Sequence, residues 1–126
     1  MRLTDESKSF HDSVYSIVTS IPYGKVTSYG HIAYLLNRPQ NSRQVGYSLK
    51  HCKAIMDTLR QDGELSYSYE TLPWWRVLSS SGTISPRATS GEYVQATKLA
   101  GESVIVSENH KVDLTEYGWF PDEVDF

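Results

Sequence analysis

The sequence predicts a mainly α fold with a few short strands, in a helix-turn-helix arrangement. Three observations carry that reading. Apolar residues recur at helical spacing near the N-terminus. Two shorter helical patterns follow, divided by a turn-forming run, and the second is studded with basic residues. Beyond them the pattern shortens to strand-like runs separated by glycine and serine.

Taken in order, Phe10, Val14, Ile17, Val18 and Ile21 predict an amphipathic helix over Ser9–Ser20, ended by Pro22 and Gly24. "GKVTS" reads as a short strand. Ser28 is placed to cap a second helix through Leu36, with Ile32, Leu35 and Leu36 facing inward. "NRPQNS" is a turn. A third helix begins near Ser42 and ends near Cys52, with Val45 and Leu49 on one side and Arg43, Tyr47 and Lys50 spread over the rest. Two short helices joined by a tight turn, the second one basic, form the pattern of a helix-turn-helix. Helical pairs with no nucleic-acid partner share it.

The segment 54–72 reads as an inserted polar loop, with an extension of the third helix at its start and a tolerated surface tract in "SYSYE". "RVLSSSGTIS" predicts a strand and a turn with Gly82 at the bend. Ser90 is placed to cap a helix from Gly91 to Glu102. "SVIVS" and "KVDL", separated by "ENH", predict a small hairpin, and the acidic tail 122–126 is expected to be flexible.

A chain of 126 residues is one domain's worth, 1–126. Cys52 is its only cysteine, so no internal disulfide forms, which fits a reducing compartment. No cationic start with a long apolar run appears, nor any run of about 18 apolar residues. No membrane partner is expected, and the expected location is nuclear or cytoplasmic. The net charge of −3 argues mildly against a polyanionic partner. Its distribution argues the other way. From Gly24 to Met56 there is no aspartate or glutamate, while Lys25, Arg38, Arg43, Lys50 and Lys53 all lie there. That window fits a basic face turned to a polyanion. It equally fits a solvated surface that is basic by chance.

Several chemistries drop out. No cysteine–histidine set has zinc spacing, and no glycine-rich phosphate loop is present, so neither metal nor cofactor is expected. His11, His31, His51 and His110 are scattered. Cys52 follows His51, but neighbours on a helix point in different directions, so that pair is no activated thiolate. This leaves "LPWWRVLSSSG" unexplained. Trp74 and Trp75 are costly to expose, and adjacent tryptophans imply either core or the walls of a pocket.

Three stretches in order, "IPYGKVTSYGHIA" (Ile21–Ala33), "SRQVGYSLK" (Ser42–Lys50) and "PWWRVLSSSGTIS" (Pro73–Ser85), resemble the C-terminal domain of the O6-alkylguanine-DNA alkyltransferases, and more closely the alkyltransferase-like proteins. The resemblance spans roughly Phe10 to Val106. In the transferases the third motif reads Pro-Cys-His-Arg-Val, and its cysteine accepts the alkyl group from a flipped guanine. Here Trp74 stands at the cysteine position and Trp75 at the histidine position, with Glu102 matching the downstream glutamate. An indole forms no thiolate, and its N–H is no base. The resemblance therefore implies a winged helix-turn-helix DNA-binding domain that performs no alkyl transfer. Its implied role is to bind O6-alkylguanine in double-stranded DNA by base flipping, as a monomer, and to mark it for nucleotide excision repair proteins. Trp75 departs from the alkyltransferase-like pattern, which keeps histidine there.

The resemblance also implies roles for residues. Arg43 matches the finger that enters the base stack from the recognition helix. Tyr29 matches the tyrosine beside the flipped nucleotide. Gly46 and Tyr47 sit where that helix must come close to the DNA backbone, and Lys50 is counted among the DNA-binding residues. Trp74 would floor the lesion pocket, Val77 and Ser79 would line its wall, Arg87 would lie over the base, and Ser90 and Gly91 would close the other side. Arg76 reads as structural, paired with Glu102. Trp75 is open between packing beneath the site and touching the ligand. The competing reading is a plain helix-turn-helix DNA-binding protein or regulator without lesion selectivity; a catalyst using Cys52 is a third.

Overall fold

Thr4 sets the start of helix α1, Asp5–Ser20: its hydroxyl accepts from the Ser7 backbone N–H at 3.1 Å, and Asp5 and Glu6 place negative charge on the first turn. The helix begins one turn earlier than its apolar spacing predicts, because that first turn is held by its cap and carboxylates. The computed structural model describes residues 2–85 and 91–124.

Strand β1, Thr27–Ser28, follows α1 and pairs in parallel with β2, Val77–Leu78, in the register Thr27 to Val77 and Ser28 to Leu78. Helix α2, Tyr29–Leu35, springs directly from β1. Ser28 caps it as expected, accepting from the His31 N–H at 3.0 Å. The chain turns through Asn37, which adopts a left-handed φ of 61°, a conformation asparagine tolerates. Helix α3, Ser42–Lys50, completes the helix-turn-helix.

The segment 54–72 differs from the inserted loop the sequence suggests. His51, at φ −109° and ψ 25°, breaks the helical ladder, and α4 then runs Cys52–Arg60. Ile55 and Met56 are fully buried and Leu59 nearly so. This stripe belongs to the main core; the polar side chains that suggested a loop occupy the helix's outer face. The rest of the segment is tied down as well. Tyr67 and Leu72 are buried, and the Tyr67 hydroxyl donates to the Asp12 carboxylate on α1.

Two apolar clusters result. The first joins α1, α2, α3 and α4 around Tyr15, Ile17, Ile32, Val45 and Met56. The second gathers Val26, Leu78, Ile84, Leu99, Val104 and Val112. The β1–β2 pair lies on the seam, with Val77 in the first cluster and Leu78 in the second. The second cluster is built from α5, Gly91–Ala100, from a hairpin bridged at Val106 and Val112, and from a single helical turn, α6, Leu114–Tyr117. Gly82 stands at the bend as expected. Its φ is +81°, and a Cβ there would collide with the Val112 carbonyl, so the turn packs on the hairpin only with glycine.

The C-terminal segment folds back on α2. The Trp119 N–H donates to the Val26 carbonyl at 2.7 Å, and His31 Nε2 donates to the Pro121 carbonyl at 2.7 Å. Val124 packs against the first cluster, so the expected flexible tail is held at least that far. Asp125 and Phe126 lie outside the described residues.

Candidate nucleic-acid interface

Helix α3 has two faces. Val45 and Ser48 are buried and Leu49 is half-buried, whereas Arg43, Gly46, Tyr47 and Lys50 share the opposite stripe at spacings of three, four and seven. The buried stripe is pinned to α1. The Tyr15 hydroxyl donates to the Ser48 carbonyl at 2.7 Å, and the Ser48 hydroxyl is hydrogen-bonded to His11 Nδ1. Burial pushes the His11 imidazole below its ordinary pKa, which favours the neutral ring in that contact.

The charge of the basic window is not spread evenly. Arg38 is paired with Glu6 at 3.2 Å, and Lys25 donates to the Glu116 carbonyl at 3.4 Å. Lys53 lies over the Tyr69 ring at 5.5 Å. Arg43 and Lys50 are exposed, and neither forms an ion pair among the described residues. Of these five cations only Arg38 is ion-paired among the described residues, and two of the unpaired ones, Arg43 and Lys50, sit along the outer stripe of α3.

Tyr29, at the first position of α2, is half-buried, and its ring lies against α3 at Gly46. A Cβ added to Gly46 would stand 3.9 Å from Tyr29 Cε1. The space that glycine was expected to leave for a DNA backbone is shared with this ring. A side chain larger than methyl at 46 would displace Tyr29 before it met any ligand. Tyr47 is exposed but leans toward α1. Its ring centroid is 4.4 Å from that of His51, and it lines a shallow cavity of about 340 Å³ with Phe10, His11 and Arg38.

The two tryptophans lie in a 3₁₀ turn, Trp74–Arg76, that feeds β2. Their rings meet edge to face with centroids 6.0 Å apart, and both are half-buried. Beneath them sits Glu102, which is 7 % exposed. It accepts from Trp75 Nε1 at 2.8 Å, from the Gly24 N–H at 2.9 Å, and from Arg76 through Nε at 2.9 Å and Nη2 at 2.7 Å. Arg76 also donates to the Ile21 carbonyl at 2.8 Å. Burial alone would raise the Glu102 pKa. The hydrogen bonds from Arg76, Gly24 and Trp75, with the charge of Arg76, outweigh it and hold the carboxyl below the usual range. The expected Arg76–Glu102 pair is thus present, and Trp75, left open by the sequence, has its N–H committed to the same carboxylate. The Lys98 ammonium lies 4.6 Å from the Trp75 ring centroid, which fixes the indole further.

The remaining expected pocket residues divide. Val77 is 0 % exposed and belongs to the first apolar cluster. Ser79 is half-buried, and its hydroxyl accepts from the Thr83 N–H at 3.2 Å in the turn that follows β2. The parallel register carries Tyr29 and Ser79 out of the same end of the strand pair, while Trp74 enters at the other end. Gly91 is half-buried at the start of α5. Arg87 and Ser90 lie outside the described residues.

One residue escaped sequence reasoning. Gln95 on α5 is 1 % exposed and donates to the Trp75 carbonyl at 3.1 Å and to the Val77 carbonyl at 3.0 Å. Its neighbour Val94 is 51 % exposed, so hydrophobicity alone selects the wrong member of the pair as core. Among the described residues, no group of three or more His, Cys, Asp or Glu is placed to hold a metal ion.

A helix-turn-helix with free cations along its second helix, linked by a parallel strand pair to a Pro-Trp-Trp-Arg turn, defines a nucleic-acid-binding domain with an aromatic turn attached. The family model for the DNA-binding domain of 6-O-methylguanine DNA methyltransferase matches residues 9–104. The chain belongs to that family, among its alkyltransferase-like members. It is 38 % identical over 117 residues to alkyltransferase-like protein 1 of Schizosaccharomyces pombe, covering 89 % of this chain and 95 % of that protein. It is 37 % identical over 117 residues to the DNA base-flipping protein of Escherichia coli, covering 91 % of this chain and 78 % of that one. The fold matches that of S. pombe Atl1 in complex with damaged DNA containing O6-carboxymethylguanine, with a TM-score of 0.73 at 36 % identity, over 96 % of this chain and 100 % of that one.

Proposed function

We propose that this chain binds O6-alkylguanine in duplex DNA by turning the damaged base out of the stack, transfers no alkyl group, and marks the lesion for nucleotide excision repair. The observation that carries the reading is the seating of Tyr29 against Gly46, on a helix whose outer stripe holds the uncommitted cations Arg43 and Lys50. A rigid ring set beside a basic helix gives a surface that can grip the backbone and press on one nucleotide. The relation to an alkyltransferase-like protein solved on alkylated DNA supports the choice of ligand.

In this reading α3 lies in the minor groove, where sequence information is poor, as suits a scanner that works in any context. Lys50 neutralises phosphate. Arg43 fills the gap left by the departing base, its planar guanidinium stacking on the neighbours. Tyr29 presses the backbone beside the rotated nucleotide. Trp74 forms the floor of the base pocket, with Ser79 and Gly91 at its edges. Flipping costs a few kcal/mol, less for a base whose pairing alkylation has weakened, and that difference supplies the selectivity.

Equilibrium binding to matched duplexes tests this. A duplex with one O6-methylguanine is expected to bind on the order of tenfold tighter than its unmodified twin, since about 1.4 kcal/mol is tenfold. Equal affinities would leave a plain helix-turn-helix protein.

Absence of transfer has its own test. Trp74→Cys, incubated with alkylated DNA, is expected to show no added alkyl mass on the intact protein. A thiol there finds no base, because the Trp75 indole cannot accept a proton and its N–H is held by Glu102. Stoichiometric alkylation of that variant would contradict the reading.

A further inference from the structure

The Trp74–Arg76 turn is short and runs straight into β2 at Val77. The carbonyls of Trp75, within the turn, and of Val77, just after it, flank Arg76 and are met by the two N–H groups of the Gln95 amide, at 3.1 and 3.0 Å. Carbonyl oxygens accept only, so this end of the side chain must be the donor end, and a carboxylate could not take its place. Gln95 is 1 % exposed, so neither bond is shared with bulk water. A bidentate clamp across three residues fixes the backbone of the turn, and with it the direction in which the preceding indole, Trp74, projects.

We infer that Gln95 is a positioning residue for the base pocket: it locks the turn that presents Trp74 and ties it to α5, whose first residue, Gly91, stands at the pocket's other side. This rests on the proposed reading of Trp74 as the pocket floor. Both bonds of the clamp go to the backbone around Arg76, and neither goes to α3 or Tyr29, so it is expected to act on the grip of the flipped base and not on the docking of the duplex.

Gln95→Met keeps the length and removes both donors. The expected result is a loss of about tenfold in affinity for an O6-methylguanine duplex, with affinity for the unmodified duplex unchanged within about twofold. Gln95→Glu is expected to lose at least as much, because it sets a carboxylate against two carbonyls. A Met variant that keeps the full lesion preference, or loses both affinities in parallel, overturns the assignment. If neither variant folds, the wild-type chain decides by NMR. The Gln95 side-chain amide protons are expected to exchange slowly and to shift more on adding lesion duplex than on adding unmodified duplex; fast exchange or equal shifts overturn it. Wild-type protein that binds both duplexes equally refutes the functional reading itself, which is a distinct outcome from a variant that keeps a preference the wild type has.

Discussion

Glu102→Ala lowers the unfolding free energy by about 3–5 kcal/mol, the cost of stripping the partner from a largely buried charge. The Arg76 side chain is 13 % exposed and that of Glu102 is 7 %. Removing the carboxylate leaves the Trp75 N–H and the Gly24 N–H without their acceptor, and leaves the guanidinium with only its bond to the Ile21 carbonyl. These donors come from two places: the loop after α1, at Gly24, and the aromatic turn, at Trp75 and Arg76. The loss therefore loosens the junction between both apolar clusters. Urea unfolding at neutral pH measures it directly. The pH dependence has a definite sign. The folded-state pKa of Glu102 lies below its ordinary value, so its contribution is present above the ordinary carboxylate pKa and is lost as the pH falls through the folded value. The gap between wild type and Glu102→Ala is expected to be full at neutral pH and to shrink as the solution is acidified below about pH 4. A gap that does not change with pH would place the stabilisation in packing and not in the ionised pair.

Arg43→Ala is expected to weaken binding of an O6-methylguanine duplex by about tenfold or more, and binding of the unmodified duplex by clearly less. Arg43 is exposed on α3 and forms no ion pair among the described residues, so its removal takes nothing from the fold. A guanidinium that enters the stack matters only when a base has left it, whereas a phosphate contact matters equally for every duplex. Equal losses on both duplexes would therefore reduce Arg43 to a backbone contact. Lys50→Ala serves as the comparison, with parallel losses expected and a shallower salt dependence on both substrates.

The helix-turn-helix was legible because its signals are local: the Ser28 cap, the turn chemistry of "NRPQNS", and the separation of Val45 and Leu49 from Arg43, Tyr47 and Lys50. Helix α4 was not legible. Its core contacts, Ile55, Met56 and Leu59, sit among polar neighbours, and only the long-range face offered by α1 and α3 decides that they are buried. The second cluster was half visible. Gly82 marks its own bend, but the left-handed backbone at Ser103 and His110, φ 64° and 57°, has no glycine to announce it. At the candidate site, motif order singled out Tyr29, Arg43 and Trp74 as expectations, yet it could not tell that the Gly46 surface carries the Tyr29 ring or that Val77 is buried. Those are facts of packing between elements far apart in the chain. Gln95 was invisible for the same reason: a glutamine on a helix reads as surface until two backbone carbonyls are brought to it.

The most direct test of the central claim is a crystal structure of the chain on a duplex containing O6-methylguanine. The account predicts the modified guanine rotated out of the helix with its ring against Trp74, the Arg43 side chain occupying the vacated step, and the Tyr29 ring beside the rotated nucleotide. A complex in which α3 contacts the duplex while the modified guanine remains stacked and paired would contradict it.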